Sequence, residues 1–65
     1  MKITLNGEAR ELAGPSVAEA LEQAGLGAAR VATALNGDFL PAAARASTTL
    51  KDGDALEVVA PMQGG

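Results

Sequence analysis

Ser16-Val17-Ala18-Glu19-Ala20-Leu21-Glu22-Gln23-Ala24-Gly25 is the stretch that decides the fold. Ser16 followed three residues later by Glu19 is a capping box, in which the hydroxyl accepts from the N3 amide and the carboxylate reaches back to the Ser16 amide. Val17, Ala20, Leu21 and Ala24 then recur at i, i+3, i+4 and i+7, with Glu19, Glu22 and Gln23 on the other side. The spacing predicts an amphipathic helix of about two and a half turns. Gly25 stands where a left-handed C′ residue ends a helix, and Gly27 opposes a restart. A helix with one apolar stripe needs a surface to cover, and extended segments lie on both sides of it.

On the N-terminal side, Met1, Ile3 and Leu5 alternate with Lys2, Thr4 and Asn6, the pattern of a half-buried strand. Asn6-Gly7 supplies a two-residue type I′ turn, since both residues tolerate positive φ. Glu8 to Leu12 returns as a short edge strand, closed by Gly14-Pro15. On the C-terminal side, Val31 to Leu35 shows little polar alternation, which predicts a central strand covered on at least part of both faces. Asn36-Gly37 turns it back into Asp38-Phe39-Leu40, ended by Pro41. Ala42 to Ala46 reads as a helical turn or irregular crossing, with Phe39 in a small satellite cluster beneath it. After Thr48, Thr49 and Leu50, Asp52-Gly53 makes another turn. The last strand runs from Asp54 to Ala60, with Leu56 and Val58 inward and Glu57 outward.

The order is hairpin, helix, hairpin, strand. A helix linking two extended regions crosses a mixed sheet in the right-handed sense, here packing Val17, Leu21 and Ala24 on Ile3, Leu5, Leu35, Leu56 and Val58. This is an α+β, β-grasp (ubiquitin-like) arrangement: a mixed sheet of four to five strands on one main helix. A split ferredoxin-like arrangement needs a second helix, which Ala42 to Ala46 is too short to supply. Sixty-five residues allow one domain, assigned to residues 1–60, with 61–65 as a C-terminal tail.

Composition narrows the chemistry. The chain has no Cys, His, Trp or Tyr, and Phe39 is its one aromatic residue. Zinc, iron–sulfur and haem ligation, thiol nucleophiles and a Ser-His-Asp triad are thereby excluded, so the chain is expected to be no enzyme and to bind no metal or cofactor itself. Asp52-Gly53-Asp54 lacks the further oxygen ligands of a calcium loop and reads as a turn. Glu8 with Glu11 is read as decoration of an exposed edge, and Glu19 with Glu22 as a solvated helix face rather than an acid–base pair. Eight acids against five bases leave a net charge of −3. With Lys2, Arg10, Arg30, Arg45 and Lys51 scattered singly, no phosphate-binding cluster exists, and a basic protein surface is the better partner. Met1 to Asn6 lacks an apolar signal segment, and no run approaches transmembrane length; the expected location is cytoplasmic, away from membranes and nucleic acid.

Chemistry is left to the tail, Pro61-Met62-Gln63-Gly64-Gly65. Pro61 stops a strand from continuing inside a sheet, and Gly-Gly has the highest backbone entropy to lose, so the tail is expected to be exposed and mobile. Extended, it reaches roughly 15–18 Å. Two glycines present a main chain without side chains, so the terminal carboxylate can pass through a slot too narrow for a Cβ. The opposing reading is a frayed end of small residues. Val59, on the outward parity of the last strand, forms an exposed apolar spot with Met62, unless the Ala42 to Ala46 crossing covers it.

Leu50 to Gly65, with its Asp-Gly-Asp turn and Gly-Gly end, resembles the end of the bacterial ThiS family, the sulfur carriers of thiamine thiazole synthesis. Val31 to Pro41 resembles its middle, and Ile3-Thr4-Leu5-Asn6-Gly7 its opening. The resemblance implies a β-grasp body whose Gly65 carboxylate is adenylated by a ThiF or MoeB-type enzyme using ATP and magnesium. It further implies that a cysteine persulfide donor then converts Gly65 to a thiocarboxylate, which delivers sulfur to thiazole synthase. Gly64 is implied to thread the partner's slot, and partner contacts fall to Val59, Pro61, Met62 and Gln63. The activation step has a physical need: a carboxylate is a poor electrophile until activated. The nearest alternative is a carrier like the molybdopterin-synthase small subunit, whose family is usually longer with a Pro-rich, aromatic tail. A ubiquitin-like modifier would appear as adducts on lysines, and a plain interaction module would lose nothing with Gly65.

Overall fold

The computed structural model describes residues 1–27 and 30–60. The strands are β1 (Lys2–Leu5), β2 (Glu8–Glu11), β3 (Ala32–Leu35), β4 (Asp38–Leu40) and β5 (Ala55–Val59). Helix α1 (Val17–Gln23) follows the first hairpin, and a 3-10 helix (Ala42–Ser47) follows the second. One five-stranded sheet has the order β2-β1-β5-β3-β4. β1 and β5 are parallel, and the other neighbours are antiparallel. This mixed sheet on one helix is the β-grasp arrangement expected from the element order.

Local chemistry explains each boundary. Asn6 (φ 52°) and Gly7 (φ 84°) both take the left-handed conformation, as do Asn36 (φ 52°) and Gly37 (φ 88°), so both Asn-Gly pairs turn their hairpins as the type I′ geometry requires. The capping box is present: Ser16 Oγ accepts from the Glu19 amide at 3.1 Å, and the Glu19 carboxylate accepts from the Ser16 amide at 3.3 Å. At the other end, the Gly25 amide donates to Glu22 at 3.0 Å and the Leu26 amide to Leu21 at 2.8 Å, a full Schellman motif. That motif stops the helix after seven residues, about two turns, with Ala24 as its C-cap rather than a further helical residue. The entry to α1 is stitched to the segment before β5 by Val17 N–H to Thr48 (3.0 Å) and Leu50 N–H to Pro15 (2.6 Å).

The core lies between α1 and one face of the sheet. Ile3, Leu5, Leu56 and Val58 from the strands meet Val17, Ala20 and Leu21 from the helix, with Leu12 and Leu50 closing the rim. Ala24 and Leu35, expected within it, are only partly buried at its edge. β5 alternates as anticipated, with Leu56 and Val58 inward and Glu57 outward.

Two expectations are corrected. The central strand is β5, not Val31 to Leu35: β5 pairs with both β1 and β3, which leaves β3 one place from the edge. No second layer covers the outer sheet face among the described residues, so Ala32 is exposed while Thr33 is 2% exposed. Thr33 is tolerated there because its hydroxyl donates to Leu40 O (2.8 Å) and accepts from Arg45 Nε (3.1 Å). Phe39 is not in a cluster beneath the Ala42–Ser47 helix; it is 73% exposed. Its register sets it opposite Ala34, itself opposite Glu57, on the outer face, and the alternate residue Leu40 packs against the core.

Candidate functional site

Strand β5 carries the chain toward its C-terminal residues, and its edges are held by unlike means. Along a strand, successive residues turn their N–H and C=O groups to opposite sides. Ala55 faces the β3 side; Leu56 and Val58 face β1. The β1/β5 ladder reaches only as far as Leu5 opposite Leu56. There the main chain turns at Asn6, whose amide N–H donates to Leu56 O at 2.9 Å. The Asn6 side chain then takes the place of a further strand residue: Oδ1 accepts from Val58 N–H at 2.8 Å and Nδ2 donates to Val58 O at 3.1 Å.

Asn36 does the same at the start of β5 from the opposite side. Its main chain donates to Ala55 O at 2.8 Å, and its Oδ1 accepts from Ala55 N–H at 2.9 Å. Its Nδ2 donates to Asp54 Oδ1 at 3.1 Å, while Asp54 Oδ2 accepts from Lys51 N–H at 2.8 Å. The Asn36 hydrogen bond, then that of the Lys51 amide, holds the buried Asp54 carboxyl below the usual carboxylate range, against the opposing effect of desolvation. Asp52 meanwhile accepts from Lys2 N–H at 2.7 Å. The Asp52-Gly53-Asp54 carboxylates thus serve separate backbone donors, which is the geometry of a turn. Glu8 and Glu11 are exposed on the edge strand, and Glu19 is in its capping role.

The outer sheet face presents apolar surface next to the end of β5. Val59 is 64% exposed, so the Ala42–Ser47 helix does not cover it. Val59 lies opposite Ala32, and two residues along β3 Ala34 lies between Phe39 and Glu57. Two large exposed apolar side chains, Val59 and Phe39, therefore share one face, with Glu57 in the same cross-strand row as Phe39.

The sequence pattern of the ThiS family matches residues 3–65. The chain belongs to the ThiS family. It is 43% identical over 63 residues to the sulfur carrier protein ThiS of Thermus thermophilus, covering 97% of this chain and 98% of that protein. The crystal structure of the thiamine biosynthesis protein ThiS from Geobacter metallireducens is 38% identical over the full length of both chains, with a TM-score of 0.84. A solution structure of a thiamine biosynthesis protein from the same organism gives a TM-score of 0.77 at 36% identity, over all of this chain and 88% of that one. As a ThiS family member the chain is a small sulfur carrier of thiamine biosynthesis, a carrier rather than a catalyst.

Of the residues singled out from sequence, Val59 stands exposed where its parity put it. Pro61, Met62, Gln63, Gly64 and Gly65 lie outside the described residues, as does the expectation of a mobile tail. Sequence reasoning missed three features of this ThiS family chain. Phe39 belongs to the same outer face as Val59, and its odd spacing from Leu40 is the signal that carried this. Asn6 and Asn36 were read for backbone conformation alone, although a side-chain amide beside a strand is also a ready mimic of a peptide group. Among the described residues, no helix is long and apolar enough to cross a membrane, and no cluster of three or more acidic side chains is placed to hold a metal ion.

Proposed function

We propose that sulfur is carried as a thiocarboxylate on Gly65. An ATP- and magnesium-dependent enzyme of the ThiF or MoeB type activates the terminal carboxylate: a carboxylate oxygen attacks the α-phosphorus, pyrophosphate leaves, and an acyl adenylate results. The terminal sulfur of a cysteine persulfide attacks the activated carbonyl and expels AMP. A thiol then cleaves the remaining S–S bond, leaving the thiocarboxylate here and a disulfide on the donor. The thiocarboxylate gives its sulfur to thiazole synthase. ATP and magnesium belong to the adenylating partner; the chain contributes the electrophilic carbon and no side-chain catalyst.

The observation that carries this reading is that the family match runs through the Gly64-Gly65 end, with Gly65 six residues beyond the end of β5 at the exposed Val59. The outer face formed by Val59 and Phe39, beside that exit, is the proposed docking surface, with Pro61, Met62 and Gln63 as further contacts. Gly64 lacks a side chain that would obstruct entry to the partner's active site. The compartment proposed is the cytoplasm, where the ATP-dependent partner works.

Intact mass is the test. The full chain, incubated with the adenylating enzyme, ATP, magnesium and a persulfide source, gains the mass of one oxygen exchanged for sulfur, and a chain lacking Gly65 does not. No gain, with the enzyme active on another carrier, removes the thiocarboxylate reading.

A further inference from the structure

Seven residues, Val59 to Gly65, follow Val58. If Gly65 is to enter another protein's active site, the point from which those residues depart must be fixed relative to the docking face. Beyond Leu56 the β1 main chain no longer runs beside β5, because β1 turns at Asn6 and Gly7. On the β1 side, the Asn6 side chain holds Val58 by both its N–H and its C=O, at 2.8 and 3.1 Å. A hydroxyl or a carboxylate in its place cannot reproduce this pattern, since only an amide offers an acceptor and an N–H donor at the spacing of a peptide group.

We propose that Asn6 is a positioning residue for the activation reaction: its amide, paired with both polar groups of the Val58 main chain, fixes the place and direction in which the C-terminal residues leave the sheet. This rests on Gly65 being the reacting group. Release of the clamp leaves the end of β5 held from the β3 side alone, where Val58 lies opposite Thr33 and Val59 opposite Ala32, so the direction in which the chain departs is less restricted. The carboxylate then searches a larger volume within the docked complex, and fewer docked complexes hold it in line with ATP. The docking face itself, carried by β4 and β5 through their pairing with β3, stays in place.

This separates positioning from stability. A variant that only unfolds more readily behaves as a smaller amount of carrier, which raises apparent KM and leaves kcat alone. A variant with a loosened exit docks normally and reacts less often once docked, so kcat falls and KM holds.

The experiment uses the full chain with a ThiF-type adenylating enzyme, ATP and magnesium, read as carrier-dependent pyrophosphate release. Asn6→Gly keeps the left-handed turn and deletes the clamp; Asn36→Gly deletes the equivalent amide at the far end of β5 and serves as the stability control. Both are assayed well below their melting temperatures. The expected result is a fall in kcat of roughly tenfold for Asn6→Gly with KM little changed, kcat near wild type for Asn36→Gly, and faster hydrogen exchange at the Val58 amide in Asn6→Gly alone. Asn6→Asp, which can accept from Val58 N–H but not donate to its carbonyl, retains the turn and falls between wild type and Asn6→Gly. An unchanged kcat in Asn6→Gly and Asn6→Asp overturns the proposal, as does an equal fall in Asn36→Gly. Failure of the wild-type chain to support pyrophosphate release strikes instead at the assignment of Gly65.

Discussion

Asp54 shows how one buried carboxylate organises a turn. It accepts from Asn36 Nδ2 and Lys51 N–H, while Asn36 holds both polar groups of Ala55. The Asp52-Gly53-Asp54 turn, the Asn36-Gly37 turn and the start of β5 are thereby tied together. Because the folded-state pKa is lowered, chiefly by Asn36, the group favours folding above the ordinary carboxylate pKa. That contribution is lost as pH falls through the lowered folded value. Asp54→Asn replaces one acceptor by a donor facing an N–H, so it is expected to lower the melting temperature near pH 7. The gap between variant and wild type should narrow as pH falls through the lowered folded-state pKa of Asp54, below which the wild-type carboxyl is protonated as well; a gap independent of pH contradicts the charged hydrogen bonds. Thr33 is the companion case, a buried polar side chain satisfied by Leu40 O and Arg45, with Arg45 Nη2 also donating to Val31 O at 2.6 Å. This one guanidinium pins the Ala42–Ser47 helix to β3.

Helix α1 is short enough that its ends decide whether it forms. Seven residues cannot sustain a helix by propensity, so the capping box, the Schellman motif and burial of Val17, Ala20 and Leu21 must act together. Ser16→Ala removes the acceptor for the Glu19 amide and is expected to cost about 1 kcal/mol in chemical denaturation. The loss should appear in the midpoint with the slope unchanged, since the surface exposed on unfolding is the same. A shallower slope would indicate that α1 unravels independently of the sheet. The sequence made this element legible from end to end because its signals are local: hydroxyl, carboxylate, apolar stripe and glycine all lie within ten residues.

Across the whole molecule, the placement of α1 on one face of the sheet leaves the outer sheet face open among the described residues, and this is the face proposed for docking. Packing α1 on a single face buries the core and leaves Val59 and Phe39 exposed beside the chain's exit. Phe39→Ser therefore separates docking from folding. An exposed side chain contributes little to stability, so the melting temperature should remain close to wild type. Apparent KM for the adenylating enzyme should rise severalfold through loss of an aromatic anchor. A large fall in melting temperature with no change in KM would return Phe39 to a structural role.

The sequence by itself determined the elements, their order, the turns and the family, because each rests on residues near one another along the chain or on a motif of fixed spacing. The resemblance of the C-terminal run to the ThiS family also implied Gly65 as the reacting end, and the absence of Cys agrees with it, since no side chain can carry a persulfide. Only the tertiary structure decided that β5 is central, that Phe39 faces outward, and that Asn6 and Asn36 clamp β5 from its two sides. Each of these depends on register between segments far apart in the chain. Asn6 meets Val58 across 52 residues, and Asn36 meets Ala55 across 19. A one-residue slip in either pairing would exchange the inward and outward faces. No local pattern encodes that choice; it is fixed when the apolar faces of α1 and the sheet are buried together.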